Sequence, residues 1–269
     1  MSLTRPPGPL AGRLPETVNY RIEGPAHQLH FHDFPRRVRA RFGGETMLDT
    51  VRGKLLHETG LPPVLYFPAG DVRPGLLEQT EHHTHCPFKG EASYWTLRAG
   101  DRVAENAVWG YPDPGPDAHW LRGYLACYWD AMEAWYDEDE RVHGGLRDPF
   151  HRVDVRASAR RVRVLVGEEV IADTAQPRLL SETGLPNRWY LPAADVRREL
   201  LQPSDTRTVC PYKGTAAYWS LQIGGELVAD VGWSYPDPLD DALKVREYLS
   251  FDHEALTVEA GPPAVAPIE

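Results

Sequence analysis

One short segment with the residue types of a reactive site occurs twice in the chain. It reads Cys-Pro-Phe-Lys-Gly at residues 86–90 and Cys-Pro-Tyr-Lys-Gly at residues 210–214. A lysine close to a thiol lowers the thiol pKa and raises the thiolate fraction that a nucleophile needs. Alternatively, the cysteine is a small buried hydrophobe and the Lys-Gly pair only turns the chain into the next strand. No histidine occupies matching positions beside both cysteines, so the catalytic residues stay unknown, with Cys86, Lys89, Cys210 and Lys213 as weak candidates.

Tyrosine and tryptophan are denser in each copy than a small core requires. Tyr94 and Trp95 are neighbours on a predicted strand and face opposite sides, so only one of them fills the core. Aromatic walls with a few polar groups are typical of small-ligand sites, whereas core and interface filling is the alternative use of such rings. The predicted ligand-binding residues are Tyr66, Thr84, Lys89, Tyr94, Trp109, Tyr111 and Asp113 in the first copy, and Tyr190, Thr208, Lys213, Tyr218, Trp233, Tyr235 and Asp237 in the second.

A histidine-rich segment at residues 81–86 (Glu-His-His-Thr-His-Cys) contains the residue types that bind zinc. The matching residues 205–210 contain no histidine, so a metal would belong to the first copy alone. We therefore predict neither a metal site nor a cofactor. His30 and His32 alternate along another strand and are interpreted as part of a solvated face, because the second copy has Asp154 and Arg156 there.

Glu58 and Arg73 also recur in the second copy, as Glu182 and Arg197. We interpret each pair as an ion pair that braces the neighbouring loop, with polar walls of a pocket as the alternative. Gly60 is expected to supply a turn with positive φ in that loop.

All of these candidates lie in two copies of one domain. Arg36 aligns with Arg160 at a shift of 124 residues, and the register continues without a gap. Roughly half of the positions from Arg36 to Pro114 match, whereas unrelated chains of this composition would match at a few per cent. The predicted organisation is a flexible N-terminal segment (residues 1–26), a first β domain (27–130), an acidic and glycine-containing connector (131–150), a second β domain (151–255) and a disordered tail (256–269).

Period-two alternation predicts short antiparallel strands that position the candidate residues. In the first copy these strands cover residues 64–67, 92–98 and 103–109, and in the second copy residues 161–166, 169–172 and 188–191. Apolar residues at three- and four-residue steps predict one helix over residues 120–135, with a shorter form over 242–251. The predicted fold class is mainly β or α+β, with two tandem copies of a small antiparallel β domain, each closed by one helix.

The most specific segments are Thr-His-Cys-Pro-Phe-Lys-Gly at residues 84–90, Ala-Ser-Tyr-Trp at 92–95 and Ala-Val-Trp-Gly-Tyr-Pro-Asp-Pro at 107–114. These segments, and nearly all of residues 27–255 around them, resemble the family known as domain of unknown function 427. The resemblance implies a compact β-sheet domain similar to the β-tent architecture of methionine sulfoxide reductase B and the cereblon ligand domain. Many β-tents hold zinc with paired Cys-x-x-Cys segments, which this sequence lacks. The family sometimes carries a nucleotidyltransferase label, but no glycine-rich phosphate loop or paired carboxylates support it here.

Composition limits the classes of function. The 269 residues are 42% hydrophobic and 25% charged, as in ordinary globular proteins, and the net charge of -10 without a basic run argues against a nucleic-acid partner. No apolar run approaches the roughly 20 residues that span a bilayer, and the first residues lack the apolar part of a signal peptide. We therefore predict a cytoplasmic protein without a membrane partner. Three scattered cysteines are too few for a disulfide framework.

Three classes of function remain. The favoured one is the binding of an unknown small molecule through an aromatic, Cys and Lys pocket in each repeat. The alternatives are an enzyme, thiol-dependent or a transferase as the family label suggests, and a structural or interaction protein without a small-molecule site. Because single-copy relatives would pair as homodimers, we expect a monomer whose two copies form an intrachain pseudo-two-fold pair, with a homo-oligomer as the alternative.

Overall fold

The computed structural model describes Asn19 and residues 23–263. The chain divides into two compact units, Met1–Phe150 and His151–Glu269, which we call the first and second repeat. Each consists mainly of antiparallel strands, which confirms the predicted fold class and its two similar halves.

The strands of the first repeat form a seven-stranded and a four-stranded antiparallel sheet. The strands are β1 (Leu29–Asp33), β2 (Val38–Phe42), β3 (Glu45–Thr50), β4 (Lys54–Glu58), β5 (Val64–Pro68), β6 (Leu77–Cys86), β7 (Gly90–Ala99), β8 (Arg102–Gly110), β9 (Tyr124–Cys127), β10 (Ala134–Asp137) and β11 (Glu140–Val142). Short 3-10 helices lie at Ala69–Asp71, Pro116–Leu121 and Trp129–Ala131. The sheet orders are β1-β4-β5-β9-β8-β7-β6 and β11-β10-β2-β3.

The second repeat has the same order of equivalent strands. The strands are β12 (Val153–Ala157), β13 (Arg160–Val166), β14 (Glu169–Thr174), β15 (Arg178–Glu182), β16 (Arg188–Pro192), β17 (Leu201–Cys210), β18 (Gly214–Ile223), β19 (Glu226–Ser234), β20 (Tyr248–Phe251) and β21 (Thr257–Pro263). Its 3-10 helices are Ala193–Asp195, Arg198–Leu200 and Asp240–Val245. The large sheet runs β12-β15-β16-β20-β19-β18-β17 and the small one β14-β13-β21, so every strand of the first repeat except β11 has a counterpart in the described residues of the second.

Both faces of the large sheet are covered by apolar side chains. Leu55 and Phe67 belong to the core between the large and the small sheet, whereas their neighbours Leu56 and Tyr66 belong to a second cluster. Adjacent strand residues point to opposite faces, so this division places the two clusters on opposite sides of the sheet. The second cluster is rich in tyrosine and packs under the 3-10 helix Pro116–Leu121. The predicted ligand-binding aromatics lie on this face.

The predicted helix over residues 120–135 is wrong. The segment contains the end of one 3-10 helix, then β9, a second 3-10 helix and the first half of β10. Gly123 has φ +83, which ends the helical turn, and β9 then pairs with β5 and β8 inside the large sheet. In the second repeat, Glu247 has φ 64 and β20 takes the same place. Aromatic residues suit a pleated, half-buried surface, and here tertiary pairing overrides the helical spacing.

The domain limits also differ from the prediction. Strand β10 falls in the predicted connector but pairs with β2, and Arg36 Nε donates a hydrogen bond of 2.6 Å to Asp137. Strand β21 falls in the predicted disordered tail but pairs with β13. Both segments therefore complete the small sheets. The predicted flexible segment of residues 1–26 lies mostly outside the described residues, as do residues 264–269 of the tail.

Candidate functional site

The second repeat contains a cavity of about 230 Å³ on the tyrosine-rich face of its large sheet. Strand β15, the loop after it and β16 form one side, and β18, β19 and the residues next to these two strands form the other. Positions two apart on a strand share a face, which is why Arg188 and Tyr190 of β16 both reach the cavity. The lining residues are Leu180, Glu182, Leu185, Pro186, Arg188, Tyr190, Lys213, Tyr218, Trp233 and Tyr235.

A buried ion pair contributes the main polar groups of this cavity. Lys213 is 7% exposed, and its ammonium group donates a hydrogen bond to Oε2 of Glu182. The other carboxylate oxygen of Glu182 lies 3.1 Å from Nε2 of His151. Burial alone would raise the pKa of Glu182, but the hydrogen bond to His151 and the charge of Lys213 outweigh it and lower that pKa below its ordinary value. Glu182 is therefore ionised at neutral pH.

The Lys-Gly turn is fixed by the Tyr-Pro-Asp-Pro segment that follows β19. Gly214 has φ +98, and a Cβ atom there would lie 3.0 Å from the backbone oxygen of Asp237. The backbone N–H of Leu239 donates to the carbonyl of Lys213 at 3.2 Å. Only glycine combines this φ with so close a backbone approach, so the two repeated segments together place the lysine ammonium beside the carboxylate.

The tyrosines of the cavity differ in their hydrogen bonding. Trp233 Nε1 donates to the hydroxyl of Tyr190 at 3.1 Å, and the hydroxyl of Tyr218 lies 3.1 Å from that of Thr208. Tyr235 is 5% exposed and lines the cavity, and its hydroxyl can donate one hydrogen bond. Burial raises the pKa of Tyr235, so this hydroxyl is a neutral donor.

The first repeat carries an equivalent arrangement. His27 Nε2 lies 2.9 Å from Glu58, and Lys89 donates to the other oxygen of that carboxylate. The hydroxyls of Thr84 and Tyr94 are 3.0 Å apart. Of the ten positions that line the cavity in the second repeat, nine have the same residue in the first, and the exception is Val64 in place of Arg188.

The structure brings most of the predicted second-repeat residues together. Tyr190, Lys213, Tyr218, Trp233 and Tyr235 line the cavity, and Thr208 contacts it through Tyr218. In the first repeat, Tyr66, Tyr94, Trp109 and Tyr111 form the matching cluster.

The two predicted aspartates lie elsewhere. The side chain of Asp113 is 92% exposed and pairs with Arg122 at 2.8 Å. Asp237 faces Arg246 at 3.6 Å and is absent from the cavity lining. The cysteine of the second repeat, Cys210, is also absent from that lining.

The two histidine–glutamate pairs were missed in the sequence. Arg73 pairs with Glu45 and Arg197 with Glu169 and Glu199, so the predicted ion pairs with Glu58 and Glu182 are wrong. The carboxylates of Glu58 and Glu182 instead accept hydrogen bonds from the lysines and contact a histidine at the start of each repeat. The match of His27 with His151 in the 124-residue register was the available signal. His27 is far from Cys86 in sequence, but its ring stacks on that of Phe88 with centroids 3.6 Å apart.

The other histidines of the first repeat form a separate cluster. His57 is 0% exposed, its Nε2 lies 2.9 Å from Nε2 of His32, and Phe150 packs against both rings. His30 stacks on His32, so the predicted solvated face is partly buried. In residues 81–86, by contrast, His85 pairs with Glu91 and His83 with the Ala92 carbonyl. Across the described residues, no group of three or more His, Cys, Asp or Glu side chains is arranged to hold a metal ion.

The helical segments that the structure describes are 3-10 helices of at most six residues, and none of them has the length and hydropathy of a membrane span.

Comparison with known proteins identifies the family but no characterised relative. The family described as domain of unknown function (DUF427) matches residues 30–138 and again residues 154–261. These ranges include β10 and most of β21, which agrees with their place in the small sheets. No curated protein matches the chain. The chain therefore belongs to the DUF427 family of domains of unknown function and carries two copies of that domain in tandem.

Proposed function

We propose that the second repeat binds a small organic molecule in the cavity between β15–β16 and β18–β19. The observation that carries this proposal is a cavity of about 230 Å³ in which aromatic walls surround the buried Lys213–Glu182 pair. Concave sites of this kind, mostly apolar with a few convergent polar groups, are where proteins usually bind small molecules.

The volume limits the ligand to roughly one ring with small substituents. Drug-sized ligands occupy sites of about 300–1,000 Å³. An apolar cavity of about 150 Å³ is enough to hold benzene. The cavity of this protein falls between these values. Trp233 and Tyr218 offer the faces against which such a ring would pack.

Binding is better supported than thiol catalysis. A nucleophilic cysteine must reach the substrate, and Cys210 does not line the cavity. The lysine of the same segment does, but its ammonium group is engaged with Glu182. The repeated cysteine therefore fits a role in shaping the turn, and the repeated lysine a role in the site.

A fragment screen with a blocking variant tests the proposal. A library of single-ring compounds is screened by ligand-observed NMR against the full chain and against Leu185→Trp, which places a large ring at a cavity residue that is 44% exposed. The matched control is Leu227→Trp, which enlarges a 56% exposed leucine outside the cavity.

We expect fragments that bind the unmodified chain and Leu227→Trp but not Leu185→Trp. Binding that survives Leu185→Trp would place the ligand elsewhere and refute the proposal. A screen without any binder would refute it as well.

A further inference from the structure

We infer that the cavity of the second repeat selects a small planar ring that carries a carboxylate, and that Arg188 determines this specificity. The inference rests on the proposed binding function and adds the chemical class of the ligand. It is argued from the charged residues and the hydrogen-bond donors that line the cavity, and from a pair of positions that differs between the repeats.

The cavity is lined by more cations than carboxylates. The charged lining residues are Lys213, Arg188 and Glu182, which gives two cations and one carboxylate. Arg188 pairs with Asp252 at 2.6 Å, but Asp252 is not among the lining residues and its side chain is about half exposed. A ligand carboxylate would compete with the partly exposed Asp252 for Arg188 from the cavity side. Partly buried charges interact more strongly than exposed ones, because solvent screens them less.

The two cations of the cavity leave several hydrogen-bond donors available to a ligand. Both oxygens of Glu182 already accept hydrogen bonds, one in contact with His151 and one from Lys213. A lysine ammonium has three donors and an arginine guanidinium has five, so Lys213 and Arg188 each keep donors to spare. The hydroxyl of Tyr235, which also lines the cavity, can donate a further hydrogen bond. A ligand that satisfies these groups must present acceptor oxygens, and charged acceptors make the stronger hydrogen bonds.

Among the positions that differ between the repeats at this site, two differ together. Arg188 and Asp252 of the second repeat correspond to Val64 and Tyr128 of the first, by the shift of 124 residues. In the second repeat the two residues form an ion pair beside the cavity, whereas in the first Tyr128 packs on Trp109 with ring centroids 4.8 Å apart. The first repeat therefore has an uncharged, aromatic cover where the second has a cation. Anion selectivity is assigned to the second repeat alone.

Calorimetric titration with benzoate and benzamide tests the inference, because the two compounds share ring and size but differ in charge. We expect the full chain to bind benzoate at least about tenfold more tightly than benzamide, since hydrogen bonds to charged groups are the stronger class. Arg188→Val should weaken benzoate at least about tenfold and benzamide less. Asp252→Asn should strengthen benzoate, because it removes the carboxylate that competes for Arg188.

The outcomes separate this inference from the function on which it rests. Equal affinity for benzoate and benzamide, or equal losses in Arg188→Val, would overturn the carboxylate specificity and leave cavity binding intact. No binding of either compound, together with a fragment screen without binders, would overturn both. Circular dichroism of Arg188→Val, and of Arg188→Lys as the variant that keeps the charge, verifies that the affinities refer to folded protein. Arg188→Lys should retain more benzoate affinity than Arg188→Val.

Discussion

The two repeats share the charged residues of the site and differ in the side chains that pack against its aromatic residues. Both contain the same histidine, glutamate and lysine, held by the same turn. In the first repeat, His82 and Tyr128 lie against Tyr94 and Trp109, and Tyr94 is 8% exposed. The matching positions in the second repeat are Thr206 and Asp252, and there Tyr218 is only partly buried beside the cavity.

This difference separates what builds the domain from what a ligand would need. A buried lysine–glutamate pair with its glycine turn occurs twice, so it can serve the fold in both halves without a ligand in either. The partly buried Tyr218 and the cation Arg188, both at the cavity, belong to the second repeat. Matching substitutions that have equal effects in the two repeats therefore report on the common fold. Substitutions at positions where the repeats differ report on features of one repeat alone.

The largest effect is expected from removing the buried lysine. Lys89→Met and Lys213→Met each leave a buried carboxylate without its cation, which should lower the free energy of unfolding by about 3 kcal/mol. Urea denaturation followed by circular dichroism measures the loss. The control Arg98→Met breaks an exposed ion pair with Glu78 and should cost far less. Equal costs for the control and the buried lysines would show that the pair does not support the fold.

A pH effect of similar size should be confined to the first repeat. Burial lowers the pKa of His57 from 6.5 to about 4, against the opposing charge of Asp148 and with the help of His32 and His30. Below pH 6.5 the unfolded state then binds more protons than the folded state, so stability falls as the pH drops from 6.5 to 4, by up to about 3 kcal/mol. The matching residue in the second repeat, Ser181, does not titrate.

Urea denaturation at about pH 7 and about pH 5 tests this prediction. The loss between the two conditions should be smaller in His57→Gln than in the unmodified chain. An unchanged loss in His57→Gln would assign the pH dependence to other groups.

A smaller effect is expected from the turn that both repeats share. Gly214→Ala forces a side chain into a left-handed backbone conformation against the Asp237 carbonyl, which should cost about 1–3 kcal/mol. It should also weaken ligand binding, because the turn places Lys213. Gly70→Ala is the control, since no atom lies within 4 Å of its added Cβ and its φ is not positive. Thermal unfolding compares the two, and similar melting temperatures would contradict the proposed role of the turn.

The smallest effect should come from the aspartates of the Tyr-Pro-Asp-Pro segments. The side chains of Asp113 and Asp237 are almost fully exposed, and the Asp237 side chain does not line the cavity. Asp237→Ala should therefore leave the affinity for a cavity ligand and the urea midpoint unchanged. A clear loss of affinity would return this residue to the binding site, as the sequence had suggested.

The sequence predicted what depends on local pattern and on the repeat. The alternation in residues 161–166 located β13, and the matching aromatics of the two copies located the face that carries the cavity. Spacing failed at residues 120–135, where aromatic side chains are compatible with a helix and with a central strand. Pairing between strands decides such a case, and it involves residues distant in sequence.

Distance along the chain also explains the missed carboxylate partners. Glu58 contacts His27 and Lys89, each 31 residues away, whereas the sequence suggested the nearer Arg73. His27 lies before β1, next to β4 in the sheet, but the turn that carries Lys89 joins β6 and β7, and β7 is separated from β4 by three other strands, so the tertiary fold brings these three side chains together. The match of His27 with His151 in the 124-residue register indicated that this histidine matters, but the sequence alone does not show which side chains it contacts in the folded domain.

The crystal structure of the chain soaked with a single-ring compound that binds in solution is the most direct test of the account. We expect density for one ring against Trp233 and Tyr218, with an oxygen within hydrogen-bonding distance of Lys213 or Tyr235. A structure in which these aromatic rings pack against each other and the bound ring lies elsewhere would contradict it.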